Sequence, residues 1–462
     1  MLKSACRSAC IFVLSLAIAA QAQAQAPIKE QLQPRGESKP APVVAAPPRP
    51  VVAITKPKPA PKGSLVIIGG GLRGETAPVW QRIVALAGGP GARIAVFGSA
   101  SHNPERAALA DVEQLNAYGA DAFVVPVATR LSGTDYRIAA NDPELARQVA
   151  SAGGAFFVGG NQARITAALH KPDGSSTLVL DALWDMYRRG GVIAGTSAGA
   201  AMMSKTMFYQ VNSVLSTLKR GVADGMELAP GMGFIGDDIF VDQHLLVRGR
   251  FARMLPAMLA KGYKYGLGID ENTAMVIGPD RDVEIIGYKG ALLLDLTEAT
   301  TEPLPNFNVS NVKISYLDNG DHFSFVTRKA TPSPDKTDGA FDTKRPYYRG
   351  PLFTADILGH TAVVDLMTKL VDSDQQEAIG IAFGSPRDLQ PDLGFEFKLS
   401  RTRESIGYAS AIYDSYSAYY LRMDVRPITI KQPFYEYRTV TPPPVPAPVS
   451  PAPAPAPVAP KR

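Results

Sequence analysis

From residue 64 onward, short runs that are apolar but for one leading arginine alternate with stretches of helical periodicity. The runs are Leu65-Val66-Ile67-Ile68, Arg93-Ile94-Ala95-Val96-Phe97, Ala122-Phe123-Val124-Val125 and Ala155-Phe156-Phe157-Val158, with helical stretches between them reaching Ala87, Tyr118 and Ala150. A strand without a polar side must be covered on both faces, so the alternation calls for an α/β fold, a mostly parallel sheet with helices on both faces. Ligands in such sheets bind beyond the carboxyl ends of the strands. Glycine stands at three of those ends: Gly69-Gly70-Gly71, Gly159-Gly160-Asn161-Gln162, and Gly195-Thr196-Ser197-Ala198-Gly199.

The last of these carries chemistry. The β-branched run Val192-Ile193 feeds a G-x-S-x-G turn with small residues behind it, the pattern of a nucleophile elbow, in which glycines permit close backbone approach and the serine hydroxyl stands exposed on a strained turn. Ser197 is the candidate nucleophile. Of five histidines, His244 ends the apolar run Ile239-Phe240-Val241-Asp242-Gln243, where a sheet presents working residues; a satisfied structural histidine is the alternative. Arg248, Arg250 and Arg253 follow at the start of an expected helix. They form either a solvated face or a bidentate clamp for substrate carboxylates.

Other motifs lead elsewhere. Gly69 to Gly74 satisfies G-x-G-x-x-G, yet the second strand ends Phe97-Gly98-Ser99 without the acid that holds a ribose, which leaves a tight turn or a glycine wall along the hydrolytic site. Asp318-Asn319-Gly320-Asp321 lacks the closing glutamate of a calcium loop and reads as a hairpin turn. No cofactor and no metal is called for.

Lys3 and Arg7, the apolar run Ile11 to Ala20 and the Ala-Gln repeats up to residue 26 have the layout of a secretory signal peptide, so a secreted or periplasmic protein is expected. The apolar run is too short to span a bilayer, and stable membrane insertion is not expected. Both cysteines, Cys6 and Cys10, fall in this leader, so the mature chain has no disulfide, thiolate metal site or cysteine nucleophile. Residues 27–62 and 441–462 are Pro- and Ala-rich tethers that cannot build a core. They also hold much of the basic charge. Taking the eleven Lys/Arg and two Asp/Glu of residues 1–62 and 441–462 from the 48 and 43 of the whole chain leaves 37 against 41. A mildly acidic body argues against nucleic acid as a partner. Past residue 300 the texture turns strand- and turn-rich, and a smaller α+β domain is expected over 301–440.

The combination of Gly195-Thr196-Ser197-Ala198-Gly199-Ala200, Asp242-Gln243-His244 with the three arginines, Gly159-Gly160-Asn161-Gln162 and Gly266-Leu267-Gly268-Ile269-Asp270-Glu271 resembles the cyanophycinase family of serine peptidases, related to the aspartyl dipeptidases. The resemblance covers about residues 63–300. It implies a class I glutamine-amidotransferase-like fold with serine in the cysteine position, and as substrate cyanophycin, an aspartate/arginine polymer released as β-aspartyl-arginine. It makes Ser197 the nucleophile and His244 its base. It places Gln162, Asp242 and Gln243 in the pocket wall, Arg248, Arg250 and Arg253 on substrate carboxylates, and the amides of Asn161 and Ala198 in the oxyanion hole. One departure stands out. The acid that orients the histidine is expected fifteen to eighteen residues after the serine, where this chain has Asn212-Ser213-Val214-Leu215. Asp242, Glu227 or Asn212 are the substitutes, and an inactive exported binding protein or an esterase using His360 are the alternatives. Whether the chain forms a homodimer is left open.

Overall fold

The computed structural model describes residues 60–210 and 213–433. The expected leader, nearly all of the first tether, the tail and Asn212 lie outside the described residues. Five parallel strands form the heart of the first sheet, in spatial order Asp121–Val125, Arg93–Phe97, Gly154–Phe157, Val192–Thr196 and Ser64–Ile68. Beyond Ser64–Ile68 the sheet continues antiparallel through Thr273–Ile277, Asp282–Gly287, His322–Ser324 and Lys329–Thr331.

Alternation along each strand explains why both faces are apolar. Val66 and Ile68 pack under Val79, Trp80 and Ile83 of the helix Ala77–Leu86 and Leu115 of Pro104–Ala117. Leu65 and Ile67 face the other way, toward Val149, Ile165, Leu183 and Met186 of the helices Pro143–Ser151, Gln162–Leu169 and Leu178–Arg189. Side chains of Asn103, Asp142, Asn161 and Thr177 accept from the first-turn amides of the helices they precede. Such a cap contributes about 1 kcal/mol, which explains where these helices begin.

A second sheet runs Ile239–Gln243, Tyr265–Ile269, Ala291–Asp295, Val309–Leu317, Tyr416–Thr429, Leu393–Ser400, Glu377–Ala382, Leu352–Thr354, with Ile406–Ala409 paired to Tyr416–Thr429. Its face bearing Val241, Leu267, Ile269 and Leu293 shares a core with Ile67 and Phe157 of the first sheet. The opposite face, with Phe240, Leu292 and Leu294, packs beneath the helices Phe251–Lys261 and Ala362–Val371. The boundary expected at residue 300 falls between Ala291–Asp295 and Val309–Leu317, neighbouring antiparallel strands of this one sheet. Asp318 to Asp321 is not the expected hairpin: it carries the chain from Val309–Leu317 in the second sheet to His322–Ser324 in the first. Its Asp321 is fully buried and paired with the equally buried Lys336 at 2.9 Å, which fixes that crossing. No helix among the described residues is long and apolar enough to cross a membrane.

Candidate active site

Ser197 follows the strand Val192–Thr196 and precedes a single helical turn, Ala198–Ala201, with φ 53° and ψ −105°. For a residue with a Cβ this is a sparsely populated conformation that costs on the order of 1–3 kcal/mol and survives only where the surroundings enforce it. The neighbouring glycines supply the enforcement. A Cβ on Gly195 would stand 2.5 Å from the carbonyl oxygen of Gly199, and one on Gly199 would stand 2.4 Å from that of Phe157. Any larger residue at either place would pry the turn off the sheet.

His244 follows Ile239–Gln243, the strand parallel to Tyr265–Ile269, and has φ 50°. Its amide donates to the Gly69 carbonyl at 2.8 Å, and a Cβ on Gly70 would lie 2.3 Å from its ring. The glycine run after Ser64–Ile68 is therefore the floor on which the imidazole lies, the glycine-wall outcome among those expected. Ser197 Oγ and His244 Nε2 are 2.8 Å apart. On the far side, His244 Nδ1 is 2.5 Å from Oε1 of Glu271. Since an ionised carboxylate can only accept, Nδ1 carries the proton and Nε2 is left as an acceptor for the serine hydroxyl. Burial holds the His244 pKa below its ordinary value; the hydrogen bond to Glu271 opposes this, and Arg248 and Arg250 reinforce it. The ring is thus a neutral base at neutral pH.

Glu271 is the residue the sequence did not single out for this role. It stands just past Tyr265–Ile269, and strand pairing of Gln243 with Ile269 sets the acid beside the histidine. The available signal was an apolar strand ending in two adjacent acids, Asp270 and Glu271, at the same sheet edge as His244. Of the substitutes considered, Asp242 is paired elsewhere, Glu227 accepts from the Ala223 amide at 3.0 Å, and Asn212 lies outside the described residues. His360 stands 3.4 Å from Lys289, while Ser197 already holds His244.

Ser197 and His244 open into a cleft of about 290 Å³ lined also by Gly160, Gln162, Gln243, Arg248, Arg250 and Arg253. Gln162 Nε2 donates to the Phe208 carbonyl at 2.5 Å. Arg250 donates to the backbone and side-chain oxygens of Gln243 at 2.8 and 3.0 Å; burial lowers its pKa to about 10, Asp242 opposes this, and Arg253 and Arg248 push the same way as burial. Arg248 is exposed and makes no ion pair among the described residues. Two expected roles need correction. Asp242 does not line the pocket: it is 1% exposed, with its two oxygens on Arg253 at 2.6 and 2.7 Å, because a buried guanidinium requires a bidentate partner. The Asn161 amide is not free for an oxyanion, because it donates to the Ala100 carbonyl at 2.9 Å, while the Asn161 side chain caps the following helix. The Ala198 and Gly160 amides have no hydrogen bond among the described residues.

The chain has relatives of known name. A cyanophycinase from Trichormus variabilis and one from a Nostoc species are each 34% identical over 187 residues, 39% of this chain and 59% of theirs. One from Geminocystis herdmanii is 29% identical over 282 residues, 58% of this chain and 96% of its own. The chain thus spans about three-fifths of the first two relatives. Among solved structures, a peptidase from an acI-B1 actinobacterium matches at 20% identity with a TM-score of 0.41, covering 58% of this chain and 98% of that one. A putative peptidase E from Listeria monocytogenes matches at 12% with a TM-score of 0.32, covering 49% and 98%. No family model matches. By its motifs and by these sequence alignments, the chain is a homologue of the cyanophycinases.

Proposed function

We propose that the chain is an exported serine peptidase that hydrolyses cyanophycin, or a peptide built like it, through an acyl-enzyme on Ser197. One observation carries the proposal: the continuous relay of Ser197, His244 and Glu271 at 2.8 and 2.5 Å. Nε2 of His244 takes the hydroxyl proton as Oγ attacks the amide carbon, and Glu271 steadies the imidazolium that forms. The tetrahedral oxyanion is held by the amides of Ala198 and Gly160. Collapse expels the amine, which leaves with the proton from Nε2. Water then attacks the ester and gives its proton to the same nitrogen; as the acyl–Oγ bond breaks, Nε2 passes that proton to Oγ, releasing the acid and restoring Ser197 and the neutral His244. Arg248 and Arg250 receive substrate carboxylates, which recur along an aspartate-based polymer. Export rests on the basic, apolar and small-residue order of residues 1–26.

The motive for an inactive binding protein is the acid missing after the serine, and Glu271 supplies an acid by another route. Purified mature protein incubated with insoluble cyanophycin is expected to release soluble β-aspartyl-arginine, a serine-directed phosphonate is expected to label Ser197 stoichiometrically, and Ser197→Ala is expected to abolish both. Release that persists in the alanine variant would rule out Ser197 as the nucleophile.

A further inference from the structure

The loop 245–250 joins His244 to the helix Phe251–Lys261 and carries Arg248 and Arg250. Arg250 is held through its side chain by the oxygens of Gln243. Arg248 has no hydrogen bond or ion pair through its side chain among the described residues, so its place is set by the backbone beside it. That backbone is tied to one carboxylate. The amides of Leu246 and Val247 both donate to Oδ1 of Asp270, at 3.2 and 3.3 Å. Asp270 is fully buried, and its other oxygen faces Lys289 Nζ at 3.0 Å.

A carboxylate taken out of water persists only with donors and a countercharge around it, and successive amides of a turn converging on one oxygen make an anion-binding nest. The arginine loop is thus wrapped around the Asp270 charge as such loops wrap a bound anion. Its far end is pinned by shape: Gly249, at φ +56°, lies so close to Leu358 that a Cβ there would be 2.3 Å from the Leu358 carbonyl oxygen. Its near end is His244, whose Nδ1 rests on Glu271, the residue after Asp270. Two adjacent acids past the strand Tyr265–Ile269 therefore divide the work, Glu271 on the base and Asp270 on the loop that bears the arginines.

Resting on the reading above that Arg248 and Arg250 receive substrate carboxylates, we propose that Asp270 is a positioning residue for carboxylate recognition. Its buried charge holds Leu246 and Val247, and through them sets Arg248 at a fixed reach from Ser197. Asp270 touches neither substrate nor the reacting atoms. Its loss therefore weakens the hold on a substrate carboxylate and spares the bond-breaking step.

The test uses the full-length protein with a soluble β-aspartyl-arginine oligomer, offered as the free acid and with its carboxylates amidated. Asp270→Ala is expected to raise KM for the acid by about tenfold, the scale of lost charge-assisted hydrogen bonds, with kcat close to the parent's. The parent's preference for acid over amide should disappear with it. Asp270→Asn keeps Oδ1 as the acceptor for both amides and is expected to restore KM and the preference. Lys289 is partly exposed, so neither variant strands a buried cation. A serine-directed phosphonate without a carboxylate should label Ser197 in Asp270→Ala at the parent's rate, which a disordered His244 would not allow. Asp270→Leu, which fills the space without an acceptor, takes the place of the alanine variant if that one does not fold. A parent without the preference, a variant that keeps it, a fall in kcat and labelling with KM unmoved, or failure of both variants to fold would overturn the assignment. A parent that the phosphonate does not label and that cuts neither form defeats the peptidase reading instead. The assignment is then read by calorimetry in the Ser197→Ala background, where the acid is expected to bind about tenfold more weakly once Asp270 is alanine; equal binding, or none in either protein, overturns it.

Discussion

His244 works as a base among positive charges, and the consequences are measurable in its titration. Burial comes first in lowering its pKa, with Arg248 and Arg250 adding to it and Glu271 opposing. The base form is the neutral ring, so activity is full above the lowered value and lost as pH falls through it. The acid limb of kcat/KM is therefore expected below the ordinary histidine value of about 6.5. Glu271→Gln removes the influence that raises the pKa, so the limb should move lower still, while kcat drops by a factor on the order of 10⁴ through loss of the correct tautomer. A pH–rate profile of the two proteins checks this; a limb that moved upward, or a kcat within tenfold of the parent, would deny Glu271 its role. Ser197 and His244 were legible in sequence because each announces itself locally, the first by its glycines and the second by ending an apolar strand. Glu271 was not, because only the pairing of Ile239–Gln243 with Tyr265–Ile269 makes it a neighbour. Nor did spacing reveal that the Asn161 amide is taken by Ala100.

At the scale of elements, the helix Phe251–Lys261 is bolted to the strand Ile239–Gln243 by Arg253 and Asp242, whose side chains are 6% and 2% exposed. The guanidinium also lies 4.1 Å from the ring centre of Phe208. Desolvating such a pair is costly, and removing one partner strands the other, which destabilises a fold by about 3–5 kcal/mol. Arg253→Met is therefore expected to lower stability by about that much in urea unfolding, and Arg253→Met combined with Asp242→Asn should recover a good part of it. If the single and double variants unfold alike, the pair has no structural role. The family resemblance placed Asp242 in the pocket wall, and nothing in the spacing said that its partner would be a buried arginine eleven positions on. The parallel strands were legible for the opposite reason: burial on both faces leaves a run without polar residues, and that run is written in the chain.

The whole molecule is joined across the place where composition changes. Val309–Leu317 pairs with Ala291–Asp295, and His322–Ser324 pairs with Asp282–Gly287, so the region past residue 300 contributes strands to both sheets. Phe251 and Phe397 meet at 5.7 Å in the shared core. Truncation after residue 300 uncovers a strand edge in each sheet together with Leu292 and Leu294, so the shortened protein is expected to aggregate, or to melt at least 10 °C below the full chain where it stays soluble. A soluble truncated form with an unchanged melting temperature would make the two parts independent. The texture change was legible; the strand partners were not, because antiparallel pairing between distant segments leaves no periodic trace in either.

The nucleophile rides on one sheet, while its base and the orienting acid ride on the other. The seam between the sheets consequently runs through the reaction centre, and a slip of about 1 Å there can slow chemistry roughly a hundredfold with every strand still formed. Turnover in this protein is an alignment gauge for the two halves of its core, reporting small sliding movements that spectroscopic probes of secondary structure average away.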